Sequence, residues 1–172
     1  MAETGILSED DRVELIEGEI VEMSPIGSRH ASCVNRLNTL LGRQVGQSFI
    51  VSVQNPIIAS DYSEPEPDLA VLRWREDFYA RELPHAADVV VVIEVADTSA
   101  EADRSVKLPL YARAGIPVGI LIDLPKESVE VYSEPVNGEY QTTEIFERGD
   151  FFQLDALPLI DLRVDDIIGW RP

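Results

Sequence analysis

Residues 89–99 read Val89-Val90-Val91-Val92-Ile93-Glu94-Val95-Ala96-Asp97-Thr98-Ser99. A run so apolar and β-branched reads as a strand buried on both faces of a sheet. Glu94 sits at its exit, where an ionised carboxylate is costly unless a cation or a hydrogen-bond network balances it. Working outward, Glu66-Pro67-Asp68 leads straight into Leu69-Ala70-Val71-Leu72, so Asp68 stands at the start of a second apolar strand. Two acids at the ends of adjacent core strands make a candidate divalent-metal site. Each acid alone could equally cap a turn or pair with an arginine.

The 172 residues are most simply one domain, 1–172, with residues 1–11 expected to be flexible. Hydrophobic residues at 45% and charged residues at 27% match a globular protein rather than a disordered chain. No apolar run approaches the roughly 20 residues of a membrane helix. The acidic start Met1–Asp11 lacks the basic-then-apolar layout of a signal peptide. Cys33, the single cysteine, cannot form an internal disulfide, which points to a reducing cytoplasm. It reads as a buried structural thiol rather than a nucleophile, with His30 the one base near it in sequence.

The 32 acids against 14 bases give a net charge of −18, which repels polyanions at long range. That argues against tight nonspecific nucleic-acid binding and leaves room only for a local basic strip. Arg73, Arg75, Arg81, Arg104, Lys107 and Arg113 fall in the middle third of the chain, with the candidate site.

The organisation is mixed α/β, without repeats or low-complexity linkers. Val13–Ile16 and Glu19–Met23 flank Glu17-Gly18, a pair suited to a tight hairpin turn. After the loop Ser24–Ser28, in which Ser28 is available as a helix cap, Val34, Leu37, Leu41 and Val45 recur at helical spacing. Ile50–Val53 and Ile57–Ala59 read as strands broken by Asn55-Pro56. The two core strands follow, separated by a polar, arginine-rich loop from Trp74 to Asp88. A second helix is expected from about Asp103 to Ala114, closed by Gly115 and Pro117. Strands at Val118–Asp123, Ser128–Ser133 and Tyr140–Phe146 come next, the last two joined at Asn137-Gly138. The tail from Phe151 is apolar enough to pack back on the body but ambiguous in type.

Asp103, Lys107 and Tyr111 are spaced four apart and share one face of the second helix. That helix directly follows the Glu94 strand, so its face could turn back over the strand end and deliver an ammonium to the two carboxylates. Lys107 could instead be a solvated lysine or an i,i+4 partner of Asp103. Pro109 is tolerable if the regular helix begins only near Ser105, which puts the proline close to the first turn.

These residues together resemble a known family. Arg12 to Pro25 (RVELIEGEIVEMSP) is similar to its opening hairpin, His30-Ala31 to the start of its first helix, and Pro67-Asp68 to its first acidic motif. Ile93-Glu94-Val95, then Asp103, Lys107, Tyr111-Ala112 and Ala114-Gly115-Ile116, complete the order. The family is the Uma-two family of restriction-endonuclease-like proteins, a branch of the PD-(D/E)XK nuclease superfamily. The resemblance runs from about Arg12 to Tyr132.

The resemblance implies a restriction-endonuclease-like α/β fold, a central mixed β-sheet flanked by helices, with an N-terminal β-hairpin. It implies Asp68 and Glu94 as catalytic carboxylates that bind Mg²⁺ or Mn²⁺. The superfamily lysine stands two residues after the glutamate, where this chain has Ala96; the family's lysine comes from the following helix, which points to Lys107. Glu14 and His30 match family motif positions as auxiliary residues. Glu14 reads as a hairpin or supporting residue, and His30 as either a helix-start hydrogen bonder or a proton carrier. One departure concerns packing: Val118-Gly119-Ile120 stands where an aromatic is expected, and Gly119 leaves space for another side chain such as Trp74 or Trp170.

Two functions follow as expectations. One is a Mg²⁺-dependent endonuclease hydrolysing DNA phosphodiester bonds, cytoplasmic, binding DNA weakly through the local basic strip, and plausibly a homodimer because cutting two strands uses two sites. The other is a catalytically inactive nuclease-fold scaffold that serves as a protein or nucleic-acid interaction module.

Overall fold

The structure, a computed structural model, describes residues 12–169; residues 1–11, expected to be flexible, and Trp170 lie outside the described residues. β1 (Val13–Ile16) and β2 (Glu19–Glu22) form an antiparallel hairpin. Its turn places Glu17 and Gly18 both at positive φ, the geometry that the acid-glycine pair supplies. α1 (Ser28–Gln44) follows. Its N-cap is Gly27 and no side chain caps it, so Ser28 is the first helical residue and not the expected cap.

A six-stranded sheet in the order β3-β4-β5-β6-β7-β8 forms the centre. Its strands are β3 (Phe49–Val53), β4 (Leu69–Arg73), β5 (Val89–Ala96), β6 (Val118–Asp123), β7 (Ser128–Val136) and β8 (Glu139–Glu147). Only β5 and β6 run parallel, joined by the crossover that a parallel pair requires. Every residue of β5 is buried, as its unbroken apolar run requires. Val91, Ile93 and Val95 face a layer built from Cys33, Val34, Leu37 and Leu41 of α1 and from the C-terminal segment. Val92 and Ala96 face the opposite layer, with Leu108, Tyr111 and Ile116.

The ambiguous tail is a hairpin, β9 (Phe151–Leu154) and β10 (Leu157–Arg163), followed by α4 (Val164–Ile168); Phe152, Leu154 and Leu162 close the α1 layer. The expected strand Ile57–Ala59 does not join the sheet and makes only an isolated bridge from Ile58 to His85. Pro56 removes a ladder donor at the entry to that segment. No helix among the described residues is long and apolar enough to cross a membrane.

The second helical segment begins at Ala100, not near Ser105. It comprises α2 (Ala100–Ala102), a π turn over Asp103–Lys107 and α3 (Leu108–Arg113). The Leu108 N–H donates to the Asp103 carbonyl, five residues back. Pro109, which has no N–H to give, thus falls in the first turn of α3 immediately after the wide turn, where it is tolerated.

The space at Gly119 is taken by Leu108 and Tyr140, not by Trp74; the other expected tryptophan, Trp170, lies outside the described residues. A Cβ built there would lie 2.8 Å from Leu108 Cδ2 and 3.3 Å from the Tyr140 ring. Trp74 is half exposed. Filling this position in a central strand forces both neighbours aside, so Gly119→Val should destabilise the protein by about 1–3 kcal/mol, read as a lower urea midpoint at unchanged m.

Candidate active site

Antiparallel pairing of β4 with β5 aligns Leu69 with Ile93. The preceding residue of one strand and the following residue of the other therefore meet, and these are Asp68 and Glu94. Asp68 is held by a dense set of donors. The Val95 N–H donates to Oδ2 at 2.9 Å, Gln54 Nε2 donates to Oδ1 at 3.3 Å, and His30 Nε2 lies 3.0 Å from the carboxylate. His30 sits in the first turn of α1, which fixes the helix start against the strand end. Gln54 is held at positive φ, and its own N–H donates to the Asp68 carbonyl at 3.1 Å.

Lys107 reaches the same place from the π turn. Its Nζ is 3.3 Å from Glu94 Oε1 and 3.1 Å from Glu14 Oε2, with the ammonium side chain only 14% exposed. Glu14 alternates inward with Ile16 on β1, and its carboxylate also accepts the Glu66 N–H at 3.2 Å. The auxiliary residue expected at the hairpin is thus in direct contact with the site lysine. Tyr111 donates its hydroxyl to Glu94 Oε1 at 2.5 Å, and Ser99 donates to Asp103 at 2.7 Å. All five residues singled out in the sequence, Glu14, His30, Asp68, Glu94 and Lys107, line one cleft of about 660 Å³ between the hairpin and the π turn.

Gln54, Glu66 and Tyr111 complete the surroundings without having been picked as site residues. Tyr111 carries a legible signal, the spacing of four from Lys107. Gln54 carries none, because only the pairing of β3 with β4, which sets Val53 against Leu69, brings it to Asp68.

Ala96 leaves β5 itself without a lysine beyond Glu94. It is fully buried in the layer formed by Leu108 and Tyr111. A lysine stem at that strand position would have to displace the helix that packs there.

Electrostatics set the protonation states. Burial pushes Glu94 up to about 8; Lys107 opposes the shift, while Asp68 and Asp103 add to it. Burial also raises Asp103 and Glu66. For Lys107, burial alone lowers the value, but Glu94, Glu14 and Asp103 together push it well above the ordinary lysine range, so the ammonium stays charged. Cys33 is buried and its thiol is raised to about 12, chiefly by burial, which makes it the inert structural thiol expected.

The arginines of the middle third are only partly open: Arg73 and Arg81 are exposed and make no ion pair among the described residues, whereas three others are taken up by acids. Arg104 is bound by Glu130 and Asp123, Arg75 by Asp77 and Glu82, and Arg113 by Glu17. In a chain this acidic, arginines near acids are taken up locally.

The folded protein holds the Glu94 proton more tightly than the unfolded chain, whose carboxyl lies near 4.5. Metal-free protein should therefore lose stability as pH rises from about 4.5 to about 8, with Glu66 and Asp103 adding in the same sense. Glu94→Gln should flatten that decline in chelator-treated thermal melts; an unchanged slope would place the proton elsewhere.

The geometry can now be set beside known proteins. A crystal structure described as a "putative nuclease belonging to DUF820" from Anabaena variabilis ATCC 29413 superposes with a TM-score of 0.75 at 21% identity, over 96% of this chain and 94% of that one. This likeness shows the shared fold. No curated protein matches the chain. The family model "Uma2: Putative restriction endonuclease" matches residues 3–165, nearly the whole chain, and the chain belongs to that family.

Proposed function

We propose that the protein is a Mg²⁺-dependent endonuclease that hydrolyses DNA phosphodiester bonds, with Asp68, Glu94 and Lys107 as its catalytic residues. The observation that carries this reading is the meeting of Asp68 with Glu94 across β4 and β5, with a buried ammonium 3.3 Å from Glu94. Membership of a family described as restriction endonucleases supports the same class of activity.

The donor set suits a hard divalent cation. Glu14, Glu66, Asp68, Glu94 and Asp103 interact electrostatically around a single lysine, and burial raises Glu66, Glu94 and Asp103, so these acids retain protons that a divalent cation in the cleft would displace. Among the described residues no group of three or more His, Cys, Asp or Glu converges on one point. A site of one or two carboxylates completed by water and phosphate is the mode that Mg²⁺ accepts, unlike an all-protein cage. Asp68 and Glu94 would hold the ion. When bound there, Mg²⁺ or Mn²⁺ makes its water more acidic and attracts phosphate oxygens.

The chain's own groups do the remaining work. Gln54, His30 and the Val95 N–H hold Asp68 in one orientation. Glu14 and Glu94 keep Lys107 protonated and aimed into the cleft, where its ammonium can stabilise charge developing on a phosphoryl group. Tyr111 fixes one oxygen of Glu94. The local pairing of the middle-third arginines is the observation that favours the alternative, a nuclease-fold scaffold without activity. Metal binding and cleavage separate the two.

Mn²⁺ at about 100 times its Kd should stabilise the wild type by about 2.7 kcal/mol. Asp68→Asn and Glu94→Gln should each remove most of the corresponding rise in Tm; equal rises in all three proteins would put the ion elsewhere. Lys107→Arg keeps the charge that Glu14 and Glu94 need for folding but misplaces it. It should retain the Mn²⁺ response and lose about 100-fold in Mg²⁺-dependent cleavage of plasmid DNA, since about one ångström of misplacement costs that much. Cleavage at the wild-type rate would remove this lysine from the mechanism, and a wild type inert with every divalent metal would leave the scaffold.

A further inference from the structure

No Asp or Glu occurs anywhere from Met23 to Ser60, in a chain that holds 32 of them. That acid-free stretch includes all of α1, which carries Arg29, Arg36 and Arg43. A spacing of seven is nearly two helical turns, so the three guanidinium groups follow one another on one side of the helix, about 10 Å apart along its axis. All three residues are exposed, and Ser32, Asn35 and Thr39 are exposed between them. A groove of about 780 Å³ runs along this face, lined by Ser32, Asn35, Arg36 and Thr39, with Asp166 at its border.

From these observations we propose that the exposed face of α1 is the surface on which the nucleic acid docks by its phosphate backbone; that the polymer is a nucleic acid rests on the nuclease reading. Arg36 and Arg43 make no ion pair among the described residues, whereas Arg75, Arg104 and Arg113 do. Arg29 donates to the Leu124 carbonyl at 3.0 Å and touches Asp97 at 3.5 Å, but both charged side chains are well exposed, and an exposed ion pair of this kind costs little to exchange. Short polar side chains between arginines are the groups that proteins use to hold phosphates. The face also begins beside the site, because Arg29 at its N-terminal end contacts Asp97, which lines the cleft. A lipid surface suits it poorly. Of the apolar residues of α1, Cys33, Val34, Leu37 and Leu41 are spent in the core and Leu40 is partly packed against it, leaving no large exposed apolar side chain to enter a bilayer.

The test is fluorescence anisotropy of a labelled DNA duplex with Ca²⁺ present, between about 50 and 200 mM salt. Wild-type affinity should fall with a log–log slope of about −3, one step for each arginine. The double variant Arg36→Gln/Arg43→Gln should bind about tenfold more weakly at the low-salt end, with a slope shallower by about 2. Its Mn²⁺-induced rise in Tm should be unchanged, because neither residue is near the carboxylates. The control Arg73→Gln/Arg81→Gln removes the same charge from the far end of β4 and should bind like the wild type. An α1 double variant with wild-type affinity and slope would overturn the proposal, as would weakening by the control pair alone or a wild type that binds no DNA at about 50 mM salt. Binding to phosphatidylserine vesicles but not to DNA would give the face to a lipid surface and overturn it too. α1-dependent binding without cleavage would count only against the nuclease, and cleavage untouched by the α1 variant only against the docking face.

Discussion

The ammonium of Lys107, buried between Glu94 and Glu14, is the contact on which the architecture of the cleft depends. It joins the opening hairpin to two elements far from it in the chain, the central strand β5 and the π turn that follows it. Each carboxylate would be expensive to bury alone, and the lysine would be as well; together they are mutually compensated, and removing any one leaves an uncompensated charge. The hairpin is consequently more than a decoration, since Glu14 on its inner face holds the lysine from the side opposite β5. The compensation is incomplete, because the acids outnumber the one cation. The proton that Glu94 retains in place of a second cation is the physical reason to propose a divalent ion there.

The wide turn and the small strand residue are two sides of one solution. Ala96 allows the helix to pack directly on β5, and that packing closes the strand position from which a lysine could have reached the carboxylates. A π turn placed just before Pro109 then carries Lys107 over the strand end. The proline, which argues against a regular helix in this segment, instead follows the irregularity that the site uses. Such wide turns cost hydrogen-bond regularity and are found mostly where a side chain must be aimed.

The overall acidity of the molecule is distributed with the same economy. Most of the middle-third arginines are bound to acids within reach, so a strong net charge coexists with few free cations there. α1 is the exception, because its neighbourhood in the sequence contributes no acids at all. In a folded protein of charge −18, a polyanion-compatible face is easiest to build on an element that contributes no carboxylates of its own, and α1 is such an element, with only Asp97 and Asp166 approaching it from elsewhere.

Much of this was legible in the sequence. The doubly buried strand, the first helix, both glycine-bearing hairpin turns and the two acids at strand ends follow from periodicity and turn chemistry, which act over a few residues and leave local marks. Resemblance supplied Lys107, Glu14 and His30 as candidates, and the spacing of four pointed to the helix face that carries the lysine. Tertiary structure alone decided that Glu14 faces Lys107, that Gln54 and His30 hold Asp68, that Leu108 and Tyr140 fill the space at Gly119, and that Arg75, Arg104 and Arg113 are spent on internal pairs. The physical reason is common to all four. Each depends on which side chains meet across elements remote in the chain, and charges or apolar groups choose partners by distance in three dimensions, a quantity that residue spacing along a single strand or helix does not contain.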